Sequence, residues 1–187
     1  QKGALAKVRP DELMAQVVRG LLERTGTDPA GLEDMIIGCA FPEGEQGLNV
    51  ARIVGFLADL PASVAGTTVN RFCGSSMQAI HIAAGAIATG AGKAFVCGGI
   101  ESMTRVPMMG FNPLPHPGLC ERAPEVFISM GLTAENLARK HEITREAQEA
   151  FALESQKRTA RAAGDGSFSD EIIVIENGGS VATDGCP

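Results

Sequence analysis

Short apolar runs alternate along this chain with stretches whose apolar residues recur every three or four positions, and that alternation restricts the fold more than any other feature. Leu13, Met14, Val17, Val18, Leu21 and Leu22 form the stripe of a helix over residues 11–24, with Pro10 suited to its first turn and Gly26 to its stop. Leu32 to Phe41 contains the run Met35-Ile36-Ile37, the mark of a buried strand. Asn49 to Leu60 is a second helix, ended by Pro61, and Val64 to Asn70 is strand-like through Thr67, Thr68 and Val69. After a break at Cys73-Gly74-Ser75-Ser76, a helix runs from about Ser76 to Thr89 with Met77, Ile80, Ala84 and Ile87 as its expected inner face. Lys93 to Cys97 is another short strand, closing on Gly98-Gly99. The pattern predicts an α/β fold, with a parallel-rich sheet through residues 32–41, 64–70 and 93–98 covered by helices.

The texture changes after Arg105. Val106 to Pro124 holds five prolines and no helix signal, so it is expected to be a long ordered loop. Helices are expected over Thr133 to His141 and Arg145 to Ala163, the second capped by Thr144 and stopped at Gly164. Glu171 to Glu176 is a last strand, and 177–187 is polar and turn-rich. Two divisions follow: a core over 1–105 and a loop or insertion domain over 106–187.

Hydrophobic residues make up 44% of the 187 positions, enough for a core, but aromatics are only 4% with no Trp or Tyr, so aliphatic side chains, Met and Phe must build it. A net charge of -6 without clustered Lys and Arg argues against a nucleic-acid partner. No apolar run approaches the roughly 18 residues of a membrane span, and Gln1 to Pro10 lacks the apolar region of a signal peptide. The five cysteines, Cys39, Cys73, Cys97, Cys120 and Cys186, include no C-x-x-C pair, which weakens zinc and redox readings. Their odd number and wide spacing point to reduced thiols and a cytoplasmic protein.

Cys73 stands apart from the other four. The order strand, tight turn, cysteine, glycine, small residues, helix sets a side chain at a helix start beyond the carboxyl end of a strand, where unpaired N–H groups and the helix dipole favour an anion. A thiolate is such an anion, and reactivity follows from it. Gly74 leaves room for an incoming group, and the N–H groups at Gly74 and Ser75 are candidates to hold an oxyanion. Spacing alone leaves two readings open, a nucleophile and a buried structural thiol. A phosphate loop at Gly74-Ser75-Ser76 fits poorly, since no Lys follows the glycine where one is needed.

The wording of the segment adds to this. Val69-Asn70-Arg71-Phe72-Cys73-Gly74-Ser75-Ser76-Met77-Gln78-Ala79 resembles the acyl-enzyme cysteine motif of thiolases, the family of acetyl-CoA acetyltransferases and 3-ketoacyl-CoA thiolases. Gly98-Gly99-Ile100-Glu101-Ser102-Met103 resembles a second N-terminal signature of that family, and Met130-Gly131-Leu132-Thr133-Ala134-Glu135-Asn136 resembles its loop-domain segment beside the CoA pantetheine. The resemblance covers nearly the whole chain. It implies a thiolase-type fold with a loop-domain insertion, Cys73 as the nucleophile attacking an acyl-CoA, and a ping-pong scheme in which a 3-ketoacyl-CoA is cleaved or formed. It further implies Met130 as a substrate contact, a supporting place for Glu101 to Met103, coenzyme A as substrate and product with no prosthetic group or metal, and a homodimer or homotetramer.

Two departures qualify it. The family's base, a His in Gly-His-Pro, and its second Cys, in Cys-x-Gly, have no match here. His81 lies eight residues past Cys73 and is expected to pack, His116 to belong to the loop, and His141 to end a helix. The chain therefore corresponds to the N-terminal part of such an enzyme, both of its divisions are incomplete, and a C-terminal half is needed in cis or in trans. Ser129 stands where some short-chain biosynthetic members carry His, and His116-Pro117-Gly118-Leu119 resembles degradative, longer-chain members, so the expectation leans to fatty-acid degradation over acetoacetyl-CoA synthesis. Rival readings are a ketoacyl-synthase-like condensing enzyme, which the segment Met130 to Asn136 argues against, and a non-catalytic thiolase-like subunit or binding protein, which the presence of Cys73 argues against for the full-length protein though not for this chain by itself.

Overall fold

The computed structural model describes residues 3–176 and 180–183, and the chain divides into two compact units, one running through Asn112 and rejoined by Ile173–Thr183, the other spanning Pro113–Ile172. The first unit is built on three parallel strands, β1 (Asp34–Gly38), β2 (Ala65–Val69) and β3 (Phe95–Gly99), in the order β2-β1-β3. Asp34 of β1 is level with Ala65 and Phe95, and Gly38 with Val69 and Gly99. Helices α1 (Pro10–Thr25), α2 (Val50–Leu57) and α3 (Ser75–Ala88) cover the sheet. The α/β fold and the parallel sheet expected from the sequence are both present, with strand bounds somewhat shorter than predicted.

Burial follows from the pleat. Alternate residues of a strand face opposite sides, and in the central strand both sides are covered, which is why Met35, Ile36 and Ile37 are all buried. One face carries Met35, Ile37, Cys39 and Val96 against Met14, Ala15 and Val18 of α1 and Val50, Ala51 and Val54 of α2. The other carries Ile36 with Val69, Phe95 and Cys97 against Ala79 and Ala83 of α3. α1 begins with Pro10 in its first turn and stops at Gly26, left-handed at φ 63°, as the sequence indicated.

The face of α3 is a correction. Its buried residues are Ser75, Ala79 and Ala83, while Met77, Ile80, Ala84 and Ile87, expected to point inward, are exposed. The physical reason is distance. A Cβ added at Gly38 would lie 2.4 Å from the Ser76 nitrogen, and one at Gly99 3.0 Å from the Ser76 Cβ. Only small side chains on α3 fit against a sheet this near, so the large ones take the opposite side of the helix.

The second unit holds α4 (Pro117–Arg122), α5 (Met130–Lys140) and α6 (Arg145–Gly164). None of these helices buries a residue. Their starts are closed by side chains: His116 Nδ1 accepts from Leu119 N–H at 3.3 Å, Ser129 Oγ from Leu132 N–H at 3.3 Å and Thr144 Oγ1 from Ala147 N–H at 3.2 Å. Arg145–Glu149 and Arg158–Glu154, both at 2.8 Å, brace the exposed side of α6. Two expectations change here. The proline-rich loop contains α4, which Pro117 opens, and α5 starts three residues earlier than predicted, at Met130. The last strand is also shorter: Ile175–Glu176 (β4) pairs antiparallel with Ser180–Val181 (β5). Residues 177–179 and 184–187, including Cys186, lie outside the described residues.

The contact between Gly38 and α3 makes a measurable claim. Gly38→Ala forces the helix start away from the sheet and is expected to destabilise the chain by about 2 kcal/mol or more in urea unfolding. Gly85→Ala, in the same helix with nothing within 4 Å of the added Cβ, is expected to stabilise by roughly 0.5–1 kcal/mol. Equal effects of the two substitutions would contradict the packing described.

Candidate active site at the carboxyl ends of the strands

Because β1, β2 and β3 are parallel, the segments that follow them emerge at one edge of the sheet: Cys39–Phe41, Asn70–Gly74 and Ile100–Ser102. Cys73 belongs to the second of these. Asn70 and Arg71 leave β2, Phe72–Gly74 make a single 3-10 turn, and Ser75 begins α3. Cys73 is exposed.

The turn is held by side chains. Phe72 has φ 46°, a left-handed conformation uncommon for a bulky residue. Its N–H donates to Asn70 Oδ1 at 2.9 Å, and its carbonyl accepts from Ser75 Oγ at 2.5 Å. Ser75 Oγ in turn accepts from Arg71 N–H at 2.9 Å. A buried hydroxyl thus satisfies both its donor and its acceptor role within the turn. The N–H groups of Gly74 and Ser75, expected as oxyanion donors, are engaged within the turn, Gly74 with the Arg71 carbonyl at 3.0 Å and Ser75 with the Phe72 carbonyl. In this geometry the two residues build the turn and the helix start.

Behind the turn lies a polar network that composition and spacing do not reveal. Gln46 is fully buried. Its side-chain N–H groups reach Glu101 Oε1 at 2.7 Å and the Phe41 carbonyl at 3.0 Å, and its Oε1 accepts from Ser102 N–H at 2.6 Å. Glu101 Oε2 accepts from Ala40 N–H at 2.6 Å, and Oε1 from Phe41 N–H at 3.3 Å. The carboxylate therefore ties the segment after β3 to the segment after β1. Asn70 Nδ2 donates to the Ala40 carbonyl at 2.9 Å, joining the segment after β2 as well. The Phe41 and Phe72 rings stand 6.1 Å apart, tilted at 58°. A second brace holds the same region from the side: Glu45 is paired with Arg105 and with Arg9, which also grips Asp11 at 2.7 Å. The Arg105 guanidinium, followed by Arg9, keeps the Glu45 carboxyl below its ordinary range.

The other thiols of this unit differ from Cys73 in kind. Burial, with the nearby Glu101 carboxylate, pushes the Cys39 thiol up to about 11. Burial and the charge of Asp34 also raise Cys97, whose Sγ lies 3.5 Å from the Ala79 carbonyl. Both are poor nucleophiles near neutrality. Glu101 and Ser102, read from the sequence as support, sit within the network, whereas Met103 is exposed at its end. An open depression of about 310 Å³, lined by Leu5, Val8, Leu13 and Glu101 to Thr104, adjoins Glu101 but not Cys73.

His81 is exposed on α3, and among the described residues no hydrogen bond joins it to Cys73. In the second unit His116 caps α4, His141 follows α5, and Met130, 72% exposed, opens α5. Asn70 and Gln46 were missed as site residues. The signal for Asn70 was readable: an Asn two residues before a turn position accepts that residue's N–H as an Asx turn. Gln46 had none, since only folding brings it to Ser102 and Glu101.

Comparison with known proteins places the chain in a family. The model of the thiolase N-terminal domain matches residues 1–184. A 3-ketoacyl-CoA thiolase of Bacillus subtilis (strain 168) is 49% identical over 176 residues, which is 94% of this chain and 45% of that protein. Proteins of the same name from Psychrobacter arcticus and Acinetobacter baumannii (strain AYE) are each 47% identical over 176 residues, with the same coverage. The chain thus spans about half the length of the curated relatives it matches. With the family's N-terminal domain aligned across all but the last three residues, the chain belongs to the thiolase family.

Proposed function

We propose that the parent protein is an acyltransferase that carries its acyl group on Cys73, and that it cleaves 3-ketoacyl-CoA or runs the reverse Claisen condensation. The observation that carries this reading is the contrast among the thiols of the first unit: Cys73 is exposed on a side-chain-braced turn leading into α3, while Cys39 and Cys97 are withdrawn and their thiols raised. The relatives' name, 3-ketoacyl-CoA thiolase, favours 3-ketoacyl-CoA as substrate, and Ser129 with His116-Pro117-Gly118-Leu119 leans the reading to fatty-acid degradation.

In the cleaving direction the Cys73 thiolate attacks the 3-keto carbon. The Sγ–C bond forms, the bond between C2 and C3 breaks, and the departing carbanion takes a proton to leave as acetyl-CoA. A CoA thiolate then attacks the acyl-Cys73 thioester, forming the shortened acyl-CoA and returning Sγ as thiolate. Gly74 and Ser75 act through the turn that presents Cys73, and Met130 offers an exposed apolar contact for the CoA. The proton-handling groups come from a C-terminal half, the insertion is taken to begin near residue 105, a few residues ahead of the compact unit that starts at Pro113, no prosthetic group takes part, and the protein works in the cytoplasm. Among the described residues no helix is long and apolar enough to cross a membrane.

Three measurements check this. Iodoacetamide at neutral pH is expected to label Cys73 ahead of Cys39 and Cys97, and Cys39 only as the pH approaches about 11; equal labelling at neutrality would remove the nucleophile. Incubation of this chain with acetoacetyl-CoA is expected to add at most one acyl group, lost in Cys73→Ser, as seen by intact mass. Steady turnover by this chain alone would show that its own histidines suffice. The parent protein is expected to scatter light as a homodimer or homotetramer, and a monomer would contradict that assembly.

A further inference from the structure

We propose that Glu101 and Asn70 are positioning residues for Cys73, coupled through one peptide group of the segment after β1. The inference rests on the reading of Cys73 as nucleophile and concerns what sets its geometry.

The peptide between Ala40 and Phe41 lies between the two side chains. Its N–H donates to Glu101 Oε1 at 3.3 Å, and its carbonyl accepts from Asn70 Nδ2 at 2.9 Å. The preceding N–H, of Ala40, donates to Glu101 Oε2 at 2.6 Å. Asn70 passes the restraint on, because its Oδ1 accepts from Phe72 N–H at 2.9 Å. Phe72 is the left-handed residue at φ 46°, and Cys73 follows it directly. The path from Glu101 to the residue before the nucleophile is therefore a series of hydrogen bonds with no gap. The ring contact between Phe41 and Phe72, 6.1 Å between centroids, runs alongside it.

The chemistry of each link suits this role. A carboxylate is acceptor-only and can take both N–H groups together with Gln46 Nε2, and charged acceptors make the stronger bonds. Bonding at the peptide N–H polarises its carbonyl, which strengthens the bond to Asn70. A left-handed Phe persists only where its surroundings hold it, and Asn70 supplies the hold on its N–H side. A glutamine at 101 has one acceptor oxygen and turns an N–H₂ group toward N–H donors, so it breaks the series without altering the size of the side chain.

The test uses this chain and the alkylation of its thiols by iodoacetamide. In that reaction Sγ bonds to the methylene carbon, iodide leaves, and the thiol proton goes to buffer. Rates are read residue by residue from peptide masses, with exposed Cys120 of the second unit as the internal reference. Asn70→Ala and Glu101→Gln are each expected to slow Cys73 about tenfold relative to Cys120, the size of one lost hydrogen bond. Because the bonds lie in series, the double variant is expected to react no more slowly than the slower single variant. Cys73 rates at or above wild type in both single variants overturn the proposal, as do equal losses at Cys73 and Cys120 or additive losses in the double variant. Should Glu101→Gln unfold, Asn70→Ala carries the test alone, since Asn70 is exposed and its removal hollows no core. Acylation is a separate readout: a wild-type Cys73 that takes no acyl group from acyl-CoA refutes the nucleophile reading, while the alkylation ratios still decide the positioning.

Discussion

Everything at the site follows from how near α3 lies to the sheet. Backbone meets backbone at Gly38, where even a methyl group would sit 2.4 Å from the Ser76 nitrogen. That approach fixes the height of the helix start over the strand ends and forces small residues onto its inner side. Two glycines at the same level, Gly38 and Gly99, leave the room. A larger residue at either would lift the helix and carry the turn before it away from the segments that brace it. The chain accepts the weak strand propensity of glycine at these positions for the sake of that contact.

The polar network answers a problem that the close approach creates. Three segments crowd at one edge of the sheet, and each brings backbone groups that need partners away from water. Glu101 and Gln46 meet most of that need between them, and both leave Cys73 alone. Burial first, and then the charge of Glu101 beside it, opposes ionisation of Cys39. Cys73 stands on the far side of the Ala40–Phe41 peptide from that carboxylate along the hydrogen-bonded series. Glu101 thus adds to the burial that suppresses Cys39 and, by the positioning proposed above, orders Cys73 through intermediates.

Much of this was legible in the residues. Met35-Ile36-Ile37 announced a strand covered on both faces, and Pro10 and Gly26 bounded α1 where the structure has it. The cysteine turn was legible from local pattern together with family resemblance. The inner face of α3 was not. Its sequence offers apolar residues around most of the helix, and hydrophobicity alone could not say that alanines would face the sheet while Met77, Ile80 and Ile87 turned outward. Steric room at Gly38 decided that, and it is a property of two segments far apart in the chain. Gln46 was hidden for the same reason, because its partners at 101 and 102 are its neighbours only in space. In α4 the prolines misled: they suggested loop throughout, but Pro117 sits in the first turn of a helix, where a missing N–H costs nothing.

The bracing of the Phe72 turn also has a history within each molecule's synthesis. Its fixings come from residues 39–46, from 70–75 and from 101–102, and the sheet that gathers them pairs Asp34 of β1 with Ala65 of β2 and with the more distant Phe95 of β3. Cys73 leaves the ribosome well before Glu101 does. Until β3 joins β1, the cysteine has its place in the chain but not its conformation, and a ring destined for a left-handed backbone relaxes to an ordinary one. The turn that presents Cys73 is thus completed only when the third strand closes the edge, and not when the cysteine itself is made.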